Sequence, residues 1–94
     1  MIDPPTVIIM GSMLIEAGSN NTLECQVNSN DGGSNLNITW FKDGKVLAGE
    51  NNTLLELYSI ERIMDGDVYT CHVENEFGGE NEDSIALTVY GMLR

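Results

Sequence analysis

Two cysteines, Cys25 and Cys71, bracket the chain's single tryptophan, Trp40, and the run Asp65-Gly66-Asp67-Val68-Tyr69-Thr70-Cys71 closes the interval. Each cysteine lies in a stretch whose apolar residues recur at every second position. Leu23, Cys25 and Val27 form one set, with Glu24 and Gln26 between them, and Tyr69, Cys71 and Val73 form the other. A period of two belongs to a strand with one face in a core and one in water. Trp40 occupies a third such stretch, Asn37 to Lys42, with Ile38 on its own side and Thr39 and Phe41 on the other. These spacings describe β-layers packed face to face with both cysteines and the indole between them.

Together with Lys42-Asp43-Gly44, Leu55-x-Leu57 and Asn75-x-x-Gly78, the pattern resembles immunoglobulin-like domains over nearly the whole chain. It is most similar to the intermediate set (I-set) of cell-adhesion molecules, receptor ectodomains and titin-like muscle proteins. The resemblance implies an all-β, two-sheet antiparallel Greek-key sandwich with Cys25 and Cys71 bridged between the sheets and Trp40 packed on the bridge. It also assigns Trp40, Tyr69, Leu55 and Leu57 to the core, with Tyr69 as a tyrosine corner. A bridge persists only in an oxidising compartment and points to a secreted or cell-surface protein. The alternative is a buried thiol pair in an intracellular relative.

A length of 94 residues accommodates one domain. Its core spans about residues 4–90, and residues 91–94 read as a linker or tag remnant. Met1 followed closely by Asp3-Pro4-Pro5 has the look of a cloning-derived start, so the chain reads as one module of a larger protein. The net charge of −11 disfavours nucleic acid, heparin-like polymers and anionic membrane surfaces. It suits solubility and a basic partner. No apolar run is long enough to cross a bilayer, so no direct membrane insertion by this segment is expected.

Taken in order, Pro4-Pro5 marks an edge or junction, and Thr6 to Met10 is a first edge strand kinked at Gly11-Ser12. Met13-Leu14-Ile15 resumes pairing. Thr22 to Val27 follows, with Asn21 standing where the resembling domains bury an aliphatic residue, so either the strand starts late or Asn21 is hydrogen-bonded at the rim. Residues 28–35 are a polar loop, Asp43-Gly44 a hairpin turn, and Val46-Leu47 a short return strand. Residues 48–52 are too short and polar for the extra strand pair of variable-type domains. Thr53 to Ile60 forms the next strand. The corner over 61–66 carries an extra residue and a single helical turn at Arg62-Ile63-Met64, with Arg62 the natural partner of Asp65. Phe77-Gly78-Gly79 is a hairpin tip, and Ser84 to Tyr90 is the last strand, with Ile85, Leu87 and Val89 inward.

No catalytic constellation is legible. His72, the only histidine, faces away from Cys71 on the same strand, which excludes a Cys–His nucleophile, and as an outward residue it is expected to be solvated. Neither Asp65-Gly66-Asp67 nor the acidic group Glu74, Glu76, Glu80, Glu82 and Asp83 shows the ligand ladder of a calcium loop, so both read as solvated carboxylates. Neither a cofactor nor a metal is expected. Three acceptor patterns for N-glycosylation occur, at Asn20, Asn37 and Asn51, and Asn51 in its polar loop is the favoured one.

For partner binding, the outward face of the Trp40 sheet offers Phe41, His72 and Tyr90, and the loop end of the sandwich offers Phe77. A glycan on Asn37 would shadow the first of these. The expected function is a non-catalytic extracellular recognition or adhesion module. Its partner would be a protein, or a neighbouring immunoglobulin-like or fibronectin-type module. The alternative is a structural spacer in an intracellular, titin-like filament.

Overall fold

The computed structural model describes residues 5–28 and 36–91. In chain order the strands are β1 Thr6–Met10, β2 Leu14–Glu16, β3 Asn21–Asn28, β4 Asn37–Lys42, β5 Lys45–Val46 and β6 Leu54–Leu57. A 3-10 turn at Arg62–Met64 precedes β7 Val68–Glu74, β8 Glu80–Ala86 and β9 Thr88–Tyr90. One layer has the antiparallel order β1-β3-β6 and the other β5-β4-β7-β8, while β2 pairs in parallel with β9.

Alternating burial along β3 and β7 produces the interior: Leu23, Cys25, Tyr69, Cys71 and Val73 are buried and their neighbours are not. Register sets Trp40 directly opposite Cys71. A disulfide joins Cys71 to Cys25 on the other layer, with a Cα–Cα distance of 6.3 Å. The Trp40 ring is fully buried, and its Nε1–H donates to the Asn52 carbonyl at 2.8 Å, which satisfies the polar end of the indole. Leu55 is buried and Leu57 half-buried.

Two backbone positions demand their residues. Gly11 lies where the chain leaves β1 for β2, at φ +144°, and a Cβ there would stand 2.9 Å from the Thr22 carbonyl oxygen. Asp43 and Gly44 both have positive φ, which gives the two-residue β4–β5 turn the handedness that matches strand twist. The Asp43 carboxylate accepts the Val68 N–H at 2.9 Å and so ties this turn to β7.

Several expectations need correction. Asn21 begins β3 half-buried, and its Nδ2 donates to the Ser12 carbonyl at 2.8 Å, so the rim alternative holds. β6 spans only Leu54–Leu57, because Ser59 turns to φ +49° and ends the extended run. The return strand is Lys45–Val46, and no strand lies between it and β6. The expected last strand, Ser84 to Tyr90, is two strands: β8 begins at Glu80, four residues earlier, because the polar run Glu80 to Ser84 is held by backbone pairing to β7, and β9 follows from Thr88.

At the corner, Arg62 and Asp65 do not pair with each other. The Arg62 guanidinium donates to the Val89 carbonyl, while Asp65 Oδ1 accepts the Val89 N–H at 2.8 Å. Both backbone groups of Val89, its N–H and its C=O, are thus held by side chains of the corner. Asp67 pairs with Lys42 instead, at 3.4 Å.

Asp83 is not a solvated carboxylate. Register places it beside Cys71, facing inward, and its Oδ2 accepts the Ile9 N–H at 2.9 Å. Asn81 Nδ2 donates to the Pro5 carbonyl at 3.1 Å. These two side chains close the seam between β1 and β8 where no backbone ladder runs. Pro4, most of the 28–35 loop and residues 92–94 lie outside the described residues.

Candidate functional site: the outer face of the β5-β4-β7-β8 sheet

Because β7 lies between β4 and β8, register arranges the outward residues in rows. Val46, Phe41, Thr70 and Ser84 form one row, Thr39, His72 and Glu82 the next, and Asn37, Glu74 and Glu80 the last. On the other side of the first row lie Val68 and Ala86, after which β9 carries Thr88 beside Leu14 and Tyr90 beside Glu16.

This order divides the face into two halves of different chemistry. One is acidic, built from Glu74, Glu80 and Glu82. His72 stands at its border, half-buried rather than solvated, with Nε2 2.7 Å from Glu80 Oε1. Such a diagonal cross-strand pair contributes up to about 1 kcal/mol. The other half carries no charge in its central rows. Thr70 and Ser84 share a hydrogen bond of 2.7 Å, with exposed Val46 (60%) in their row and Val68 (38%) next to it, while Leu14 (63%) and Tyr90 (47%) open to water further along, on β2 and β9.

Two expected anchors change place. Phe41 is half-buried, not a free surface ring. Tyr90 lies six residues along the β8–β9 line from Ser84, level with Phe41, which at strand rise separates the two aromatics by about 20 Å. They cannot anchor one small contact. Val46, the cross-strand partner of Phe41, is the more exposed probe of this half. The Asp43-Gly44 signal contained it, since a two-residue turn sets Lys42 opposite Lys45 and hence Phe41 opposite Val46.

Phe77, half exposed, caps the β7–β8 hairpin. The tip is shaped by Asn75, a buried polar side chain whose Oδ1 accepts the N–H groups of Phe77 at 2.9 Å and Gly79 at 2.8 Å. The loop expected beside it, 29–35, lies outside the described residues.

The three acceptor asparagines are all exposed. Asn20 Oδ1 accepts the Ser59 N–H at 2.9 Å. Asn37 opens β4 opposite Glu74, in the acidic half and about 13 Å along the strand from Phe41. A glycan at Asn37 would be attached at the acidic end, away from Phe41. Asn51 lies in the loop before β6.

Perturbed ionisation is found at the Lys42–Tyr69 end of this sheet and beside β6 on the other layer. Burial alone would lower the Lys42 pKa, but the negative neighbourhood of Tyr69, Asp67 and Asp43 raises it overall. Burial raises that of Tyr69, against the opposing effect of Lys42. The hydrogen bond from the Tyr58 hydroxyl to Glu56 raises that of Tyr58. These are pairings of strand ends and do not converge on a pocket. Among the described residues no group of three His, Cys, Asp or Glu side chains is placed to hold a metal ion, and no helix is long and apolar enough to cross a membrane.

Comparison with known proteins agrees with the architecture. The bovine and human hepatic and glial cell adhesion molecules are each 32% identical to this chain across 95% of it, and the chain spans 22% of their length. Murine CEACAM1b superposes with a TM-score of 0.65 at 25% identity, covering 95% of this chain and 45% of that one. The N-terminal Ig1-2 module of the Drosophila receptor protein tyrosine phosphatase DLAR gives a TM-score of 0.71 at 22% identity, over 93% of this chain and 49% of that one, which speaks for the fold alone. A family model described as immunoglobulin domain matches residues 2–89. With the bridge, the opposed indole and the two-layer order in place, the chain belongs to the immunoglobulin domain family.

Proposed function

We propose that this domain is a non-catalytic, extracellular recognition module of an adhesion or receptor protein, and that it binds a protein partner through the uncharged half of the outer sheet face. The observation that carries the reading is the 32% identity, over 95% of the chain, to proteins named as cell adhesion molecules. Chemistry supports it. A disulfide at the centre of the core suits an oxidising compartment. An apolar, exposed patch beside a row of carboxylates suits a partner with an apolar centre and a basic flank.

The test is binding of the multimerised domain to cells of the source tissue. Val46→Glu and Leu14→Glu, both at exposed positions, are expected to abolish binding without lowering thermal stability by more than a few degrees. Ile8→Glu, at an exposed position on the opposite sheet, should leave it intact. Equal loss in all three variants, or in none, refutes this face as the contact. Phe41→Ala is a poorer probe, because half-buried Phe41 also contributes to packing.

A further inference from the structure

β6 presents an open strand edge on its outer side. It pairs only with β3. The register Leu23 to Leu55, with the Cys25 N–H donating to the Thr53 carbonyl at 2.7 Å, turns the bonding groups of Thr53, Leu55 and Leu57 toward β3. The N–H and C=O groups of Leu54 and Glu56 therefore point away from the sheet. Open grooves of about 470 and 270 Å³ flank the edge and share Asn52, Leu54 and Glu56. Leu54 and Tyr58 beside it are exposed.

Three other edges are managed. β1 follows Pro5 and has its Ile9 N–H taken by Asp83, β5 has only two residues and includes a lysine, and β9 is covered by β2. β6 has no proline, no lysine and no bulge. Such an edge is a template for pairing with another chain. The net charge of −11 opposes self-pairing, but exposed charges more than about 8 Å apart are largely screened at physiological ionic strength.

We infer that Asn51 carries an N-linked glycan and that this glycan shields the β6 edge. The acceptor triplet Asn51-Asn52-Thr53 ends at the residue before Leu54, and Asn51 and Asn52 line the groove along the strand. In the transfer, Asn51 Nδ2 bonds to the anomeric carbon of a lipid-diphosphate-linked oligosaccharide. The bond from that carbon to the diphosphate oxygen breaks, the amide gives up one proton, and the lipid diphosphate leaves, with no net redox change. Asn52 keeps its backbone carbonyl on the Trp40 indole, so the acceptor side chain sits on a segment anchored to the core.

The inference rests on the extracellular reading, and the experiment separates the two. The domain is secreted from glycosylating animal cells, and occupancy at Asn51 is read by peptide mass spectrometry after enzymatic deglycosylation in heavy-oxygen water. Wild type, Asn51→Gln, Asn37→Gln and Asn51→Gln/Leu54→Lys are then compared by sedimentation in physiological salt. The expected result is an occupied Asn51, a monomeric wild type and Asn37→Gln, a shift of Asn51→Gln to dimers or larger, and return to monomer with the added lysine. Secreted, bridged protein with Asn51 unmodified overturns the inference while leaving the extracellular reading standing. So does an Asn51→Gln variant that stays monomeric, or an Asn37→Gln variant that associates equally.

Discussion

Removing the Asn75 side chain tests whether the β7–β8 hairpin is shaped from within. Asn75 is only 4% exposed, and its Oδ1 accepts the N–H groups of Phe77 and Gly79. A typical intramolecular hydrogen bond contributes roughly 0.5–1.5 kcal/mol net, and a buried donor left unpaired costs about 1–3 kcal/mol. Both amides are only part-buried, so water can reach them once the turn loosens, and the lower scale applies. Asn75→Ala should therefore lose about 2 kcal/mol, or roughly 8–16 °C in melting temperature for a domain of this size. Urea denaturation gives the first number and a thermal scan the second, while hydrogen exchange at Phe77 and Gly79 reports the turn directly. Asn75→Asp keeps an acceptor but adds charge beside Glu74, Glu76 and Glu80. It should be unstable at low salt and recover as salt screens the repulsion. A loss below about 0.5 kcal/mol in Asn75→Ala, with exchange unchanged at the tip, would refute the reasoning.

Two further outcomes follow from the core. The bridge spans 46 residues of sequence, and on the loop-entropy account its removal by Cys25→Ala/Cys71→Ala should cost about 4 kcal/mol, with a larger denaturant slope as the unfolded chain expands. A loss under about 1 kcal/mol would contradict it. For pH, Tyr69 and Lys42 both hold their protons more tightly in the folded state than at their ordinary values of 10.0 and 10.5. Their contribution is complete below those values and disappears as pH rises through the higher folded ones. Urea midpoints should fall above about pH 10, with a shallower fall in Tyr69→Phe; midpoints that rise there would reverse the sign.

What the sequence made legible was the part governed by period two. Leu23, Cys25, Tyr69, Cys71 and Val73 announce their faces because apolar and polar residues alternate around them, and all five are buried. Trp40 and Leu55 follow the same rule. Where alternation is missing, the reading failed. Glu80 to Ser84 is polar throughout, so nothing marked it as strand, and the inward turn of Asp83 onto Ile9 became visible only with register. The corner pair was misassigned because Arg62 and Asp65 are near in sequence, yet both reach across to the backbone N–H and C=O of Val89. The candidate face suffered most. Phe41 and Tyr90 share a side of the sheet, but separation along a strand is invisible until neighbouring strands are aligned.

Free-thiol titration of denatured, unreduced protein from its native source tests the central claim most directly, because the proposed extracellular role requires Cys25 and Cys71 to be joined where the protein works. The account predicts no reactive thiol. Two thiols per chain would contradict it and favour an intracellular spacer.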